Sequence, residues 1–184
     1  RDAEIAGSRV TVNLAQLQAE NERYVVVELE PSVPHKSGRA EEVARVDVAY
    51  LDLDSGVRDS VASSVKARFT ANAKEAEASL NKAVMSQVTE QIATENSERA
   101  MELRNQGDVA AARQVLMDNA SFLNRNKSMF GSGNAPAPAA SISTLDKLEE
   151  RAREAAASLE EGDWERTRRA MRYDQHKSKV QQAY

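Results

Sequence analysis

Four oxygen-bearing side chains crowd one short stretch. In AYLDLDSGVRDSVASS (residues 49–64), Asp52, Asp54, Ser55 and Asp59 bring the hard donors that a divalent cation takes. A helix-flanked calcium loop needs oxygens at alternate positions, a glycine at the sixth and a bidentate glutamate at the twelfth. Counted from Asp52, Gly56 is fifth and Ser63 is twelfth, so the closing carboxylate is missing. The flanks also alternate as strands do. Gly56 can take a positive φ, and Asp54 and Ser55 are short and polar, which is what a hairpin turn asks for. The stretch is read as a turn between strands, and no metal ligand is assigned.

Other chemistry fares no better. The chain has no cysteine, which removes disulfides, thiol catalysis and thiolate metal sites and fits either a reducing or an oxidising compartment. His35 and His176 are the two histidines. His35 lies in PSVPHKSGRAEE (residues 31–42), which Pro31, Pro34 and Gly38 mark as an exposed loop, with no second ligand nearby. GSG at 131–133 lacks the Lys-Ser/Thr and helix of a phosphate loop. The carboxylates alternate with bases, as on a solvated helix face. No serine can be paired with a base. The expectation is no catalytic residue, no cofactor and no enzyme activity.

One segment is a charge anomaly. WERTRRAMRYDQHKSK (residues 164–179) carries Arg166, Arg168, Arg169, Arg172, Lys177 and Lys179 against Glu165 and Asp174, with Trp164, Tyr173 and His176 interleaved. One reading is a site for an anionic partner, a nucleic acid, a lipid surface or an acidic protein, with Trp164, Arg166, Arg169, Arg172 and Tyr173 as the contact residues. The other is pairing with the acidic segment before it, which holds Asp146, Glu149, Glu150, Glu154, Glu160 and Glu161. Trp164 then anchors a helical core. The net charge of −4 argues against bulk nucleic-acid binding, and no apolar run reaches membrane-span length. A protein is the expected partner class, and nucleic acid is not expected.

The elements that would position these residues change period along the chain. The first 70 or so of the 184 residues alternate: Val10, Val12 and Leu14; Val25, Val27 and Leu29; Ala44, Val46, Val48 and Tyr50; Val57, Val61, Val65, Ala67 and Phe69. Period two with β-branched residues predicts four half-buried strands. A sheet this small with one apolar face needs a second layer, supplied by the helices or by further strands. From about Asn72 the period becomes helical, with Leu80, Val84, Val88 and Ile92 on one stripe; the pattern either continues through TENSERAMEL to Gln106 or is kinked or broken at TENSE (94–98). Gly107–Asp108 reads as a helix stop followed by a cap. Val109, Ala112, Leu116, Ala120 and Leu123 form the next stripe, and Leu145, Leu148, Ala152, Ala155 and Leu159 another.

QGDVAAARQVLMDN (106–119) and EGDWERTRRAMRYD (161–174) echo one another, which points to an αα-hairpin used twice, by duplication or by convergence on one turn chemistry. The first hairpin, ERAMELRNQGDVAAARQVL, resembles one tetratricopeptide-type unit. The fold class predicted is α+β: an antiparallel β region over 1–71, a helical hairpin over 72–130, a flexible linker over 131–141 and a second hairpin over 142–184.

The order of these features resembles a known group. RVTVNLAQLQAENERYVVVELE, ARVDVAYLDLDSG, SVKARFT and VTEQIATENSERAMELRNQGDVAAARQVLMDNASFLN, closed by DWERTRRAMRYDQHKSKVQQAY, are similar to the region that follows the von Willebrand factor type A domain in a group of bacterial proteins. The resemblance implies a β-sandwich and helical tail with an accessory or assembly role, and an extracytoplasmic place. It also implies a type A domain upstream, and the opening RDAEIAGSRV without an initiator Met reads as a cut from a longer protein. The adhesion-site pattern Asp-x-Ser-x-Ser is not in DLDSG, where Asp54 and Gly56 take the serine places, so no metal residue carries over.

Overall fold

The computed structural model describes residues 3–14, 16–17, 24–30, 39–132, 136–159 and 161–180. It has an α+β fold: two small antiparallel sheets and five helices among the described residues. The chain divides into two compact units, one of residues 27–80 and one of residues 1–26 with 81–184.

The smaller unit holds strands β3 (Ala40–Leu51) and β4 (Arg58–Arg68) and the short helix α1 (Ala73–Ala78). The strands form an antiparallel ladder with Val48 opposite Val61 and Ala44 opposite Val65, and a bulge at Val43. Directly opposed residues share a face. One face therefore carries Ala44, Val46, Val48, Tyr50, Val61 and Val65, with Ser63 and Asp59; the other carries Arg45, Asp47, Arg58 and Lys66. Asn72 caps α1, its side chain accepting from the N–H groups of Lys74 and Glu75. Glu75 ties α1 back to the end of β4 by an ion pair with Arg68 and a hydrogen bond from Thr70 Oγ1 (2.9 Å).

In the larger unit, β1 (Ala3–Ala6) and β2 (Arg9–Val12) form a hairpin through the two-residue turn Gly7–Ser8, with Gly7 at φ +60°. The helices are α2 (Lys82–Asn105), α3 (Val109–Phe130), α4 (Ala139–Ala157) and α5 (Glu161–Val180). Helices α2, α3 and α4 pack against one another, and α5 runs beside α2. The core lies here, in two clusters: one around Leu116, Ala155, Leu159, Trp164 and Met171, the other around Leu123, Phe130 and Leu145.

The expected stripes of α3 and α4 are present: Ala112, Leu116, Ala120 and Leu123 are buried, as are Leu145, Ala152 and Ala155. The Gly107–Asp108 stop is present too. Gly107 sits at φ +91°, its N–H donating to the Arg104 carbonyl while the Asp108 N–H donates to that of Leu103, both at 3.0 Å. That is the Schellman arrangement. Asp108 then caps α3 through the Ala111 N–H (2.9 Å).

Several expectations are corrected. Among the described residues the antiparallel β region is two hairpins, each a two-stranded sheet by itself. Residues 24–30 join no strand, and Val25, Val27 and Leu29 are exposed. Alternation gives a strand its faces but supplies no partner for its backbone. The helix beginning near Asn72 ends at Ser79, and Asn81 caps a new one. The α2 stripe is inverted: Val84 and Ile92 face outward, and Ser86, Thr89, Ala93 and Ala100 face in. Small residues permit closer helix approach there than valines would. Helix α2 runs unbroken through TENSE to Asn105, the continuing pattern rather than a break.

The linker is shorter than predicted, because α4 begins at Ala139. Ala137 is buried, with its N–H donating to the Phe130 carbonyl (2.9 Å); residues 133–135 lie outside the described residues. Gly162–Asp163 lies inside α5 rather than in a turn, and Gly162 has no positive φ. The first Gly-Asp is a hairpin turn and the second is not, so the echo is one of sequence only. His35, Pro31, Pro34 and Gly38 lie outside the described residues.

Candidate functional site

Three places gather the residues that could act: the β3–β4 turn, the outer face of α5 and the apolar face of the β3–β4 hairpin.

The turn follows from its residue types. The Asp52 N–H donates to the Val57 carbonyl and the Gly56 N–H to the Asp52 carbonyl, both at 2.9 Å, with Gly56 at φ +69°. Both carboxylate oxygens of Asp52 are engaged within the turn. One accepts from the Asp54 N–H (2.9 Å), the other from Ser55 Oγ (2.7 Å). The Ser55 hydroxyl, followed by the Asp54 and Ser55 N–H groups, holds the Asp52 carboxyl below its ordinary value. The oxygens that suggested a cation are the fastening of an Asx-type turn. Among the described residues, no three His, Asp or Glu side chains converge as metal ligands do.

Helix α5 divides the residues singled out in its sequence. Trp164 is buried, 8% exposed, in the cluster with Leu116, Leu159 and Met171. The Arg104 guanidinium lies 5.1 Å from its ring centroid, and Arg104 Nε donates to the Leu159 carbonyl (2.7 Å), pinning the passage from α4 to α5. Trp164 is thus not on the surface with the other four. Arg166, Arg169, Arg172 and Tyr173 are exposed. Arg166 pairs with Asp163 and Arg168 with Glu165, both one turn back on α5 itself. Between α4 and α5 the described residues show an ion pair of opposite sense, Arg151 of α4 with Asp174 of α5.

Two acids of α4, Asp146 and Glu149, pair with Lys127 of α3. Glu149, buried, accepts from Lys127 (2.9 Å), from Arg153 (2.9 Å) and from Asn124 (3.2 Å). Burial pushes its carboxyl up, but the bonds from Lys127, Arg153 and Asn124 prevail and hold it at about 2.

The seam between α2 and α5 is polar. Gln175 donates to Ser97 Oγ (3.1 Å), Ser178 Oγ to Glu90 (3.3 Å), and Lys179 pairs with Glu98. Burial raises the Glu90 carboxyl above its ordinary value, against the Ser178 hydrogen bond and the Lys177 charge. A cavity of about 40 Å³ sits among the four helices, lined in part by Thr94, Ser97, Asn119 and Gln175. That is water-sized; pockets for small-molecule ligands run to roughly 300–1,000 Å³.

The third place was visible in the sequence only as a deficit. The β3–β4 face that alternation marks as buried is open: Val46, Val48, Tyr50, Val61 and Val65 are each between 41% and 56% exposed. These five side chains share one face of the ladder, with Ser63 and Asp59 among them, and make a patch rather than scattered residues. The signal that could have found it is the greasy face of a sheet with too few strands to cover it.

Comparison with protein-family models, curated proteins and solved structures finds no match.

Proposed function

We propose that this chain is a non-catalytic interaction and structural accessory module that works beside a von Willebrand factor type A domain. The observation that carries the reading is the open apolar face of the β3–β4 hairpin. An exposed hydrophobic strand face is unfavourable in water and marks a surface that another protein covers. The helical unit supports the reading by what it offers: a packed core and short hydrogen bonds between its own side chains. The order of sequence features supplies the type A domain. The exposed arginines of α5 argue less strongly for an anionic partner, since Arg166 and Arg168 already have carboxylate partners on the same helix.

The test is calorimetric titration of the full chain with a bacterial type A domain from the group that the sequence resembles. Val48→Asp with Val61→Asp places two charges on the apolar face. Binding by the parent and its loss in the variant, with unchanged helical circular dichroism, is the expected result. Equal binding by both, or none by the parent, overturns the reading.

A further inference from the structure

The hairpin has an edge as well as a face. Strands β3 and β4 pair with each other and, among the described residues, with no other strand, so each has one ladder edge without a strand beside it. The two edges differ in charge. Strand β4 carries Arg58, Lys66 and Arg68 against Asp59; β3 carries Glu41, Glu42 and Asp47 against Arg45, and Glu42 stands opposite Lys66. An added strand with acids on one side and valines on the other suits the β4 edge and is repelled by the β3 edge.

The chain contains such a strand. VVVELE (25–30) alternates Val25, Val27 and Leu29 with Val26, Glu28 and Glu30. All six residues are exposed and in no sheet. Laid antiparallel on β4 with Glu28 opposite Lys66, it sets Leu29 opposite Val65 and Val27 opposite Ala67. Glu28 is then diagonal to Arg68, and the apolar face gains a third row.

We infer that the β4 edge is a docking site for the Val25–Glu30 segment of a second copy of this chain. Donor and acceptor occur in the same molecule and are not paired with each other in it, so two copies can exchange segments about a two-fold axis, each copy donating once and accepting once. The added strand meets Lys66 and Arg68 with acid and Val65 and Ala67 with apolar side chains. The inference rests on the interaction reading above and names a partner for part of that surface.

The experiment is sedimentation equilibrium of the full chain at micromolar to submillimolar concentration. The parent is expected to dimerise. Glu28→Lys alone and Lys66→Glu alone each place like charges across the new ladder in both halves of the dimer, and each should raise the dissociation constant about tenfold or more. The double variant restores the opposite charges across the new ladder and should associate more tightly than either single variant, short of the parent by the like charge that Lys66→Glu sets opposite Glu42 of β3. A parent that stays monomeric throughout overturns the inference. So does a dimer indifferent to both single reversals, or a monomer whose Val25–Glu30 amides are protected from exchange, which would place the segment on its own hairpin. A Lys66→Glu monomer that still binds the type A domain leaves the accessory reading intact. A parental dimer that does not bind that domain removes the accessory reading and leaves the exchange.

Discussion

Glu149 shows how one residue is given its charge by its neighbours. Its carboxylate lies in the bundle with Lys127, Arg153 and Asn124 donating to it, and is held at about 2 although burial acts the other way. A carboxyl depressed in the folded state binds fewer protons there than in the unfolded chain. Its contribution is complete above the unfolded value near 4.5 and is lost as pH falls toward 2. Urea melts between pH 5 and about 2 should show falling stability, with a shallower fall in Glu149→Gln. At neutral pH the same variant should lose about 1–2 kcal/mol, since Lys127 and Arg153 lose an ionised acceptor. Glu90 has the opposite sign. Its carboxyl is raised by burial, so its folded form binds protons more readily and its ionisation at neutral pH opposes folding. Glu90→Gln should therefore melt higher than the parent at pH 7, with the gain vanishing below the ordinary glutamate range. A lower melt at pH 7 would mean that the carboxylate is better paired than its surroundings indicate.

At the scale of elements, the two Gly-Asp pairs make a controlled comparison. Gly107 is held at φ +91° by the Schellman bonds, so Gly107→Val should cost about 1–2 kcal/mol or more in a thermal or urea melt. Gly162 is inside α5, with nothing within 4 Å of the place a Cβ would take. Gly162→Ala should be stabilising, by up to about 0.5–1 kcal/mol. Loss of stability in Gly162→Ala would show that the chain turns there after all. The passage into α5 is secured elsewhere, by Trp164 in the core and by Arg104 over its ring. Trp164→Ala should cost about 3–5 kcal/mol by cavity formation. Trp164 is also the chain's one tryptophan, so its fluorescence reports the docking of α5 directly.

At the scale of the whole molecule, stability is unevenly shared. The buried apolar side chains belong to the helices of the larger unit, while the long β3–β4 hairpin has both faces in solvent. A two-stranded hairpin is marginal in water without a covering layer. Hydrogen exchange should find the amides of α3 protected more strongly than those of β4 by on the order of a hundredfold or more. If strand exchange occurs, protection of β4 should rise with protein concentration while that of α3 stays level. Equal protection in the two elements at all concentrations would mean that the hairpin is stabilised within one chain.

The local elements could be read from residue order because their causes are local. Gly56 with Asp52 and Ser55 makes the hairpin turn, Gly107 with Asp108 makes the helical one, and spacing alone sets the buried lines of α3 and α4. Tertiary structure decided everything that depends on a choice among partners. Alternation in Val25–Glu30 does not say which edge, if any, receives it. The valine stripe of α2 does not reveal that serine, threonine and alanine pack closer than it could. The acids of α4 do not say whether their bases come from α5 or α3. Such choices depend on which faces meet in space, where burial and charge are settled between residues far apart in sequence. A period fixes the faces of one element but not the neighbour against which each face is placed.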